Sequence, residues 1–478
     1  MGASSSSVDH HDLEKGKRVV VLVHGLASCA LEAITEKGHE HFWCDHCDAE
    51  EEHKRLVYVS IQEIVKRPQV VKTLALSLEN DSVQGTKCVS SKCGYSGMNV
   101  QPVEGLSGIR TLNPGVESDI TPILLWHNII EHLSPDYNCL AYNYDWRRWG
   151  DVRYVQECET RFKQTIEHAV KVAKGQPVVI VGHSLGAQVV NYMLSYFGPM
   201  WTEANVSDAV LVGPANMGSP CALAAYANGP STVTHTSVIP VADVLEAALR
   251  DVASTWPGII SVLPNRLGTL DVFDVKPLVL RKGGRKYFVG DVESFLSDLW
   301  ACENEDITGL YSGDISMHEY VRHFLEEYGL VDTKREWVAG FDKAARMRKA
   351  FEKKVVTNLK APRGCRVHVV YSMDIPTLSQ MTFQNNLWEK ADFSVWDSGD
   401  DTILASSVDK MCEAWRAEGV HVRKYHAPKI HHKEIISCPY MMKVMDDVME
   451  HEMGESDDGS EYASSEEEDI GCGCAAGD

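Results

Sequence analysis

Long apolar runs are missing from this chain. No window of ~20 residues is apolar enough to cross a bilayer, and the run Val19–Val23 is far too short. The opening Met-Gly-Ala-Ser-Ser-Ser-Ser-Val-Asp-His-His-Asp has no apolar centre, so no secretory signal is expected. Basic charge is also scarce. The chain has 46 Lys and Arg against 68 Asp and Glu, a formal charge of −22, which argues against a nucleic-acid partner because phosphates need a basic face. Cysteine is thin, 14 in 478 residues, too sparse for a disulfide scaffold. Without an export signal these thiols are expected to be reduced and the sequons at Asn80 and Asn205 idle.

What remains is ordinary globular composition, 44% hydrophobic and 24% charged. The length suits two or three domains, or one large domain with insertions. Half of the net charge sits at the end: residues 449–478 carry eleven Asp or Glu and no Lys or Arg. That stretch repels itself and lacks apolar periodicity, so it reads as a disordered acidic tail, with Ser464 and Ser465 placed for an acid-directed kinase. At the other end, residues 1–16 read as a flexible arm. Met1-Gly2-x-x-x-Ser6 fits N-myristoylation of Gly2, with Lys15, Lys17, Arg18 or Cys472 and Cys474 as possible second anchors.

Chemistry begins at the first strand. Val19-Val20-Val21-Leu22-Val23 enters a tight turn, His24-Gly25-Leu26-Ala27-Ser28. A second apolar strand, Val178 to Val181, runs into Gly182-His183-Ser184-Leu185-Gly186, and a helical stretch follows. Strand, G-x-S-x-G and helix together are the context of a nucleophile elbow, with Ser184 as nucleophile. Its oxyanion needs two amides: Leu185 after the serine, and Leu26, with Ala27 as alternative, in the early turn.

A serine needs a base, and the base an orienting carboxylate, in the chain order Ser, acid, His. Cys365 to Tyr371 reads as a strand, and Asp397-Ser398-Gly399-Asp400-Asp401-Thr402 as the acid loop after it. His421 to His426 reads as the last strand, leading to His431-His432. Asp400 is the first choice of acid, before Asp401 and Asp397. His432 is the first choice of base, before His431 and His426.

With these pieces in order, residues 19–445 resemble the lecithin:cholesterol acyltransferase group of α/β-hydrolases, which includes a lysosomal phospholipase A2/transacylase and phospholipid:diacylglycerol acyltransferases. The resemblance is carried by Val20 to Gly25 with Leu31-Glu32-Ala33, Gly105 to Arg110 with Pro114-Gly115, Tyr144-Asp145-Trp146-Arg147, the elbow, Gly399-Asp400-Asp401-Thr402 and Ile430 to Ile435. It favours Asp400 and His432. It implies an α/β-hydrolase fold, with a mostly parallel central sheet spanning 17–448, a lid or membrane-contact insertion at 36–103 and a cap at 222–360. The Asp145–Arg147 pair is expected to brace the sheet edge. Two departures stand out: His24 where the family often has proline, and Pro214 to Pro220 where it tends to a Gly-rich, Trp-containing turn.

The insertion contains Trp43, a candidate lipid contact, and Cys44-x2-Cys47 with Cys88-x4-Cys93, which suit one zinc, lid disulfides or free thiols. The chemistry itself needs no metal or cofactor. The expected function is a cytoplasmic serine lipid hydrolase or acyltransferase, peripheral on the cytosolic face of a membrane. It would move an acyl group from a glycerophospholipid to water or to a lipid hydroxyl such as diacylglycerol or a sterol. The alternatives are a soluble esterase or thioesterase on the same fold, and a lipidated non-catalytic scaffold.

Overall fold

The computed structural model describes residues 13–35, 53–58, 73–74, 76–81, 85–89, 98–113, 124–228, 252–253, 255–267, 278–281, 284–301, 334–384, 387 and 391–450. Six strands build one sheet: β1 (Val19–Val23), β2 (Asn138–Tyr142), β3 (Val178–His183), β4 (Val206–Val212), β5 (Arg366–Met373) and β6 (Val422–Pro428). Their order is β6-β5-β4-β3-β1-β2, and every neighbouring pair is parallel. β1 to β4 are buried along their whole length. A parallel sheet covered on both faces has no polar face to present, hence their near-continuous Val, Ile and Leu. The chain steps from β1 to β2 on one side and then to β3 on the other. That reversal leaves a crevice beyond the carboxyl ends of β1 and β3. This is the α/β-hydrolase arrangement.

Helix α1 (Val152–Val172) starts where the Asp151 carboxylate accepts the Arg153 amide at 3.0 Å. Its buried stripe, Val155, Cys158, Phe162, Ile166 and Ala169, follows helical spacing. Helix α2 (Leu185–Phe197) is buried on all sides from Leu185 to Leu194 and packs on β1, β3 and β4. Gly186 makes that approach possible, since a Cβ there would fall onto the carbonyls of Val23 and His24. Helices α3 (Lys334–Lys354), α4 (Ala405–Ala417) and α5 (Pro439–Glu450) complete the frame used below.

The cap differs from a single insertion at 222–360. Its four-stranded sheet runs in the order Lys286–Tyr287, Val279–Arg281, Ile375–Phe383, Asp392–Gly399. Two of these strands come from beyond β5, so the hairpin 375–399 separates β5 from the acid loop. Asp397 therefore lies within a strand, and Asp400 directly follows that strand. Arg348 of α3 is fully buried and donates to the carbonyls of Ile260 (3.0 Å), Leu263 (3.3 Å) and Pro264 (3.0 Å). It thereby satisfies the open carbonyl end of the short helix Pro257–Ser261.

Both chain ends shift the expected boundaries. Residues 13–16 are docked, because the Glu14 amide donates to Asn138 Oδ1 at 2.9 Å and the Gly16 amide to Val172 O at 2.8 Å. The expected boundary at residue 16 therefore falls inside ordered structure. α5 runs through Glu450, two residues past the boundary at 448. Gly2, Trp43, Cys44, Cys47, Cys93 and residues 451–478 lie outside the described residues, as does the side chain of Cys88. The seven described cysteines are free thiols. No described helix is long and apolar enough to cross a membrane.

The Tyr144–Arg147 segment ties the insertions to the sheet. Arg147 grips Asp145 with two parallel hydrogen bonds, 2.9 and 2.7 Å, and is itself fully buried. Its remaining donors reach Leu74 O (3.3 Å) and Val100 O (3.1 Å), at two points of the 36–103 insertion. Trp146 Nε1 donates to Cys29 O at 3.0 Å, and the Trp256 ring of the cap stands edge-on to the Trp146 ring at 5.0 Å. Leu74 and Val100 of the 36–103 segment, Trp256 and the sheet therefore meet around one ion pair. Removing the guanidinium strips the buried Asp145 carboxylate of both side-chain donors, leaving it the Arg147 amide at 3.2 Å, and takes one donor from Val100 O and one from Leu74 O. Arg147→Ala is expected to cost about 3–5 kcal/mol of unfolding free energy in a urea titration. Arg147→Lys should recover only part of it, because an ammonium lacks the two-pronged geometry. A loss under about 1 kcal/mol would refute this clamp.

Candidate active site

Ser184 stands where β3 ends and α2 begins, with φ 58° and ψ −120°. That conformation is costly for a residue with a side chain, and persists only where the surroundings enforce it. Here they do: the Ser184 amide donates to Val212 O (2.8 Å), and its carbonyl accepts from the Ala215 amide (3.3 Å). The turn after β1 lies against it, since a Cβ on Gly25 would fall 2.9 Å from Ser184 Cβ and 3.5 Å from Oγ. The amides of Leu26, Ala27 and Leu185 donate to no other described group, so all three candidate oxyanion donors are open. Ala27 takes a positive φ of 56°. The turn is fastened from the lid side by Tyr58, whose hydroxyl donates to Ala27 O at 3.1 Å.

His24 is a brace. Its Nδ1–H donates to Gly25 O at 3.0 Å, and its Nε2 accepts the Tyr144 amide at 3.2 Å. The ring stacks on Tyr144 at 4.4 Å, and burial pushes its pKa down to about 4, so it is neutral.

The acid and base loops meet twice. Asp400 Oδ2 accepts from His432 Nδ1 at 2.7 Å, and the His432 amide donates to Asp400 O at 2.8 Å. Asp400 Oδ1 takes the amides of Thr402 (3.0 Å) and Ile403 (2.6 Å). These bonds compensate a carboxylate only 1% exposed. Burial opposes the charged form of His432, yet the charge and hydrogen bond of Asp400, with Asp401 behind them, hold its pKa above the ordinary histidine value. His432 Nε2 is buried and has no hydrogen-bond partner among the described residues.

The second-choice residues pair with other groups. Asp401 Oδ2 meets His431 Nδ1 at 2.6 Å, toward the surface. His426 Nε2 bonds the Tyr371 hydroxyl at 2.6 Å, and Asp397 is exposed. The Asp145–Arg147 pair is a brace, as described above.

Sequence reasoning missed two supports of the base. His183, the second residue of the elbow motif, donates Nε2–H to His432 O at 2.9 Å, and burial beside His432 pushes its pKa down to about 3. Its position inside the motif was visible, its partner 249 residues away was not. The other is Gly213, whose φ is +50°. A Cβ there would lie 2.9 Å from His432 Cε1 and 3.0 Å from Nδ1. Gly213→Ala must therefore displace the imidazole. Esterase activity should fall at least about tenfold with the circular dichroism spectrum unchanged. Unaltered turnover would show that the ring is not held at this surface.

The sequence profile described as lecithin:cholesterol acyltransferase matches residues 89–440. A phospholipid:diacylglycerol acyltransferase of Schizosaccharomyces pombe is 27% identical over 123 residues, 23% of this chain and 19% of that protein. A putative phospholipid:diacylglycerol acyltransferase 2 of Arabidopsis thaliana is 26% identical over 237 residues, 44% of this chain and 33% of that one. The matches thus span a third or less of these relatives' length. Among solved structures, a chain of the Tle4-Tli4 complex superposes with a TM-score of 0.48 at 11% identity, covering 90% of this chain and 97% of that one. With the profile spanning most of its length, the chain belongs to the lecithin:cholesterol acyltransferase family.

Proposed function

We propose that this protein is a serine-dependent acyl hydrolase or acyltransferase acting on glycerophospholipid esters at a membrane surface. The observation that carries the reading is the buried Asp400–His432 pair, whose outer nitrogen is unpartnered beside the elbow that presents Ser184. In this reading His432 Nε2 takes the Ser184 proton as the oxygen attacks the ester carbonyl. Asp400 holds the imidazole by Nδ1 and stabilises the imidazolium. The amides of Leu26 and Leu185 receive the oxyanion. His432 then protonates the leaving lysolipid alkoxide, and the acyl-enzyme is resolved by water or by a lipid hydroxyl that His432 deprotonates in turn.

Family membership supports lipid acyl chemistry, and the names of the two curated relatives point to diacylglycerol as an acceptor. A peripheral position on the cytosolic face, with Gly2 acylated and Trp43 touching lipid, is part of the same proposal. A single myristoyl chain holds only marginally, so the lid would supply the second contact.

Phosphatidylcholine vesicles containing diacylglycerol or a sterol test the reading, with products identified by mass spectrometry for wild type and Ser184→Ala. Lysophospholipid is expected from wild type alone. It should come with free fatty acid if water is the acceptor, or with triacylglycerol or steryl ester if a lipid hydroxyl is. Equal product from both proteins, or none from wild type, would sink the proposal. Because only neutral imidazole acts as base, activity should fall on acidification with a midpoint above the unperturbed histidine value of about 6.5.

A further inference from the structure

The tandem residues of the two loops form two parallel rungs: Asp400 with His432 inside, at 2.7 Å, and Asp401 with His431 outside, at 2.6 Å. We infer that the outer Asp401–His431 rung is a positioning device for the base, fixing how His432 sits against Asp400 and adding negative charge behind it. The inference rests on the serine-hydrolase reading and deepens it.

Three observations support it. First, among the described residues the His432 ring is hydrogen-bonded only at Nδ1, while the His183 ring and the Gly213 backbone bound it on one side, so the freedom left to it is to swing with its loop about the Asp400 contact. A second rung one residue away removes that freedom. Second, Asp401 pays a local conformational cost to be there, with φ 77°, which a non-glycine residue rarely adopts. The turn is held by Thr377 Oγ1, which accepts the Asp401 amide at 2.8 Å, by Thr402 Oγ1 on Asp401 Oδ1 at 2.7 Å, and by the Cys221 thiol on Asp401 O at 3.4 Å. Ser219 Oγ also donates to Thr402 O. Third, His431 is 39% exposed, and an ion pair that open to water contributes little to stability. Such elaborate support for a weak surface pair fits a geometric role better than a stabilising one.

Among the described residues, the titratable groups facing His432 are few. Asp400 and Asp401 approach from the acid loop, and neutral His183 from the end of β3; the turn at Gly213 brings none. Neutralising Asp401 therefore destabilises the imidazolium. Its pKa falls, and the neutral base survives to lower pH.

The test follows labelling of Ser184 by a fluorophosphonate in the full-length protein from pH 5 to 8. This readout needs no knowledge of the lipid substrate. In Asp401→Asn the acidic limb should move down, so that at pH 5.5 labelling relative to its own plateau exceeds wild type by roughly two- to threefold. His431→Ala should lower the plateau about tenfold through a loosened base. His431→Gln, whose amide still donates to Asp401, should restore it to within about threefold of wild type. A limb that stays put in Asp401→Asn, or a glutamine variant as slow as the alanine one, overturns the positioning role while wild-type labelling at Ser184 keeps the serine reading intact. If Ser184 in wild type takes no label, the serine reading itself fails and the positioning role falls with it.

Discussion

A carboxylate buried to 1% exposure is unfavourable unless its oxygens are hydrogen-bonded, and the surroundings of Asp400 are organised around that requirement. Asp400 meets it with two amides of its own turn and the imidazole of His432. The amides are available only because the chain turns sharply after the strand Asp392–Gly399, and that turn needs the strained Asp401. Thr377, Ser219 and Cys221 hold the turn from neighbouring elements. His183 and Gly213 define the other side of the imidazole. Each of these contacts is modest; their combined effect is to allow the ring one orientation, with its free nitrogen beside the elbow.

The acid turn links this dyad to the cap. Thr377 lies on Ile375–Phe383, and Asp400 follows Asp392–Gly399; both strands belong to the cap sheet rather than the central one. Elsewhere the cap is tied down on the Arg147 clamp through Trp256, whose Nε1 donates to Leu74 O at 2.7 Å beside the Arg147 contact. The oxyanion turn is fastened to the lid side by Tyr58. The Asp400 turn and the turn after β1 are thus each held by hydrogen bonds from outside the central sheet.

Much of this was legible in the sequence because its signals are local. A strand, a G-x-S-x-G turn and a helix identify the elbow at Ser184, and the first choices of acid and base are the two residues that meet inside. The order of the strands around the elbow was sufficient for the fold class. The family resemblance strengthened a ranking of Asp400 over Asp401 that was already made from the order of the loops, since adjacent carboxylates look alike in sequence; the structure separates them by burial, Asp400 inside and Asp401 only partly covered. What stayed hidden is non-local. The cap sheet draws strands from both sides of β5, so no contiguous segment encodes it. The docking of residues 13–16 depends on Asn138 and Val172, far along the chain. The partners of His183 and Gly213 lie in a loop some 220 to 250 residues away.

The doubled acid and doubled histidine illustrate how such ambiguity can carry information. Read singly, Asp401 and His431 are runners-up for roles that Asp400 and His432 take. Seen together across the two loops, they are the continuation of the same pairing by one residue in each chain direction. A pairing repeated in register defines a direction as well as a distance, which a single hydrogen bond cannot do. In the serine-hydrolase reading proposed above, His432 accepts a proton along one line and delivers it along another, and there direction is the quantity that matters. The outer rung then has a purpose even though exposure makes it nearly worthless for stability.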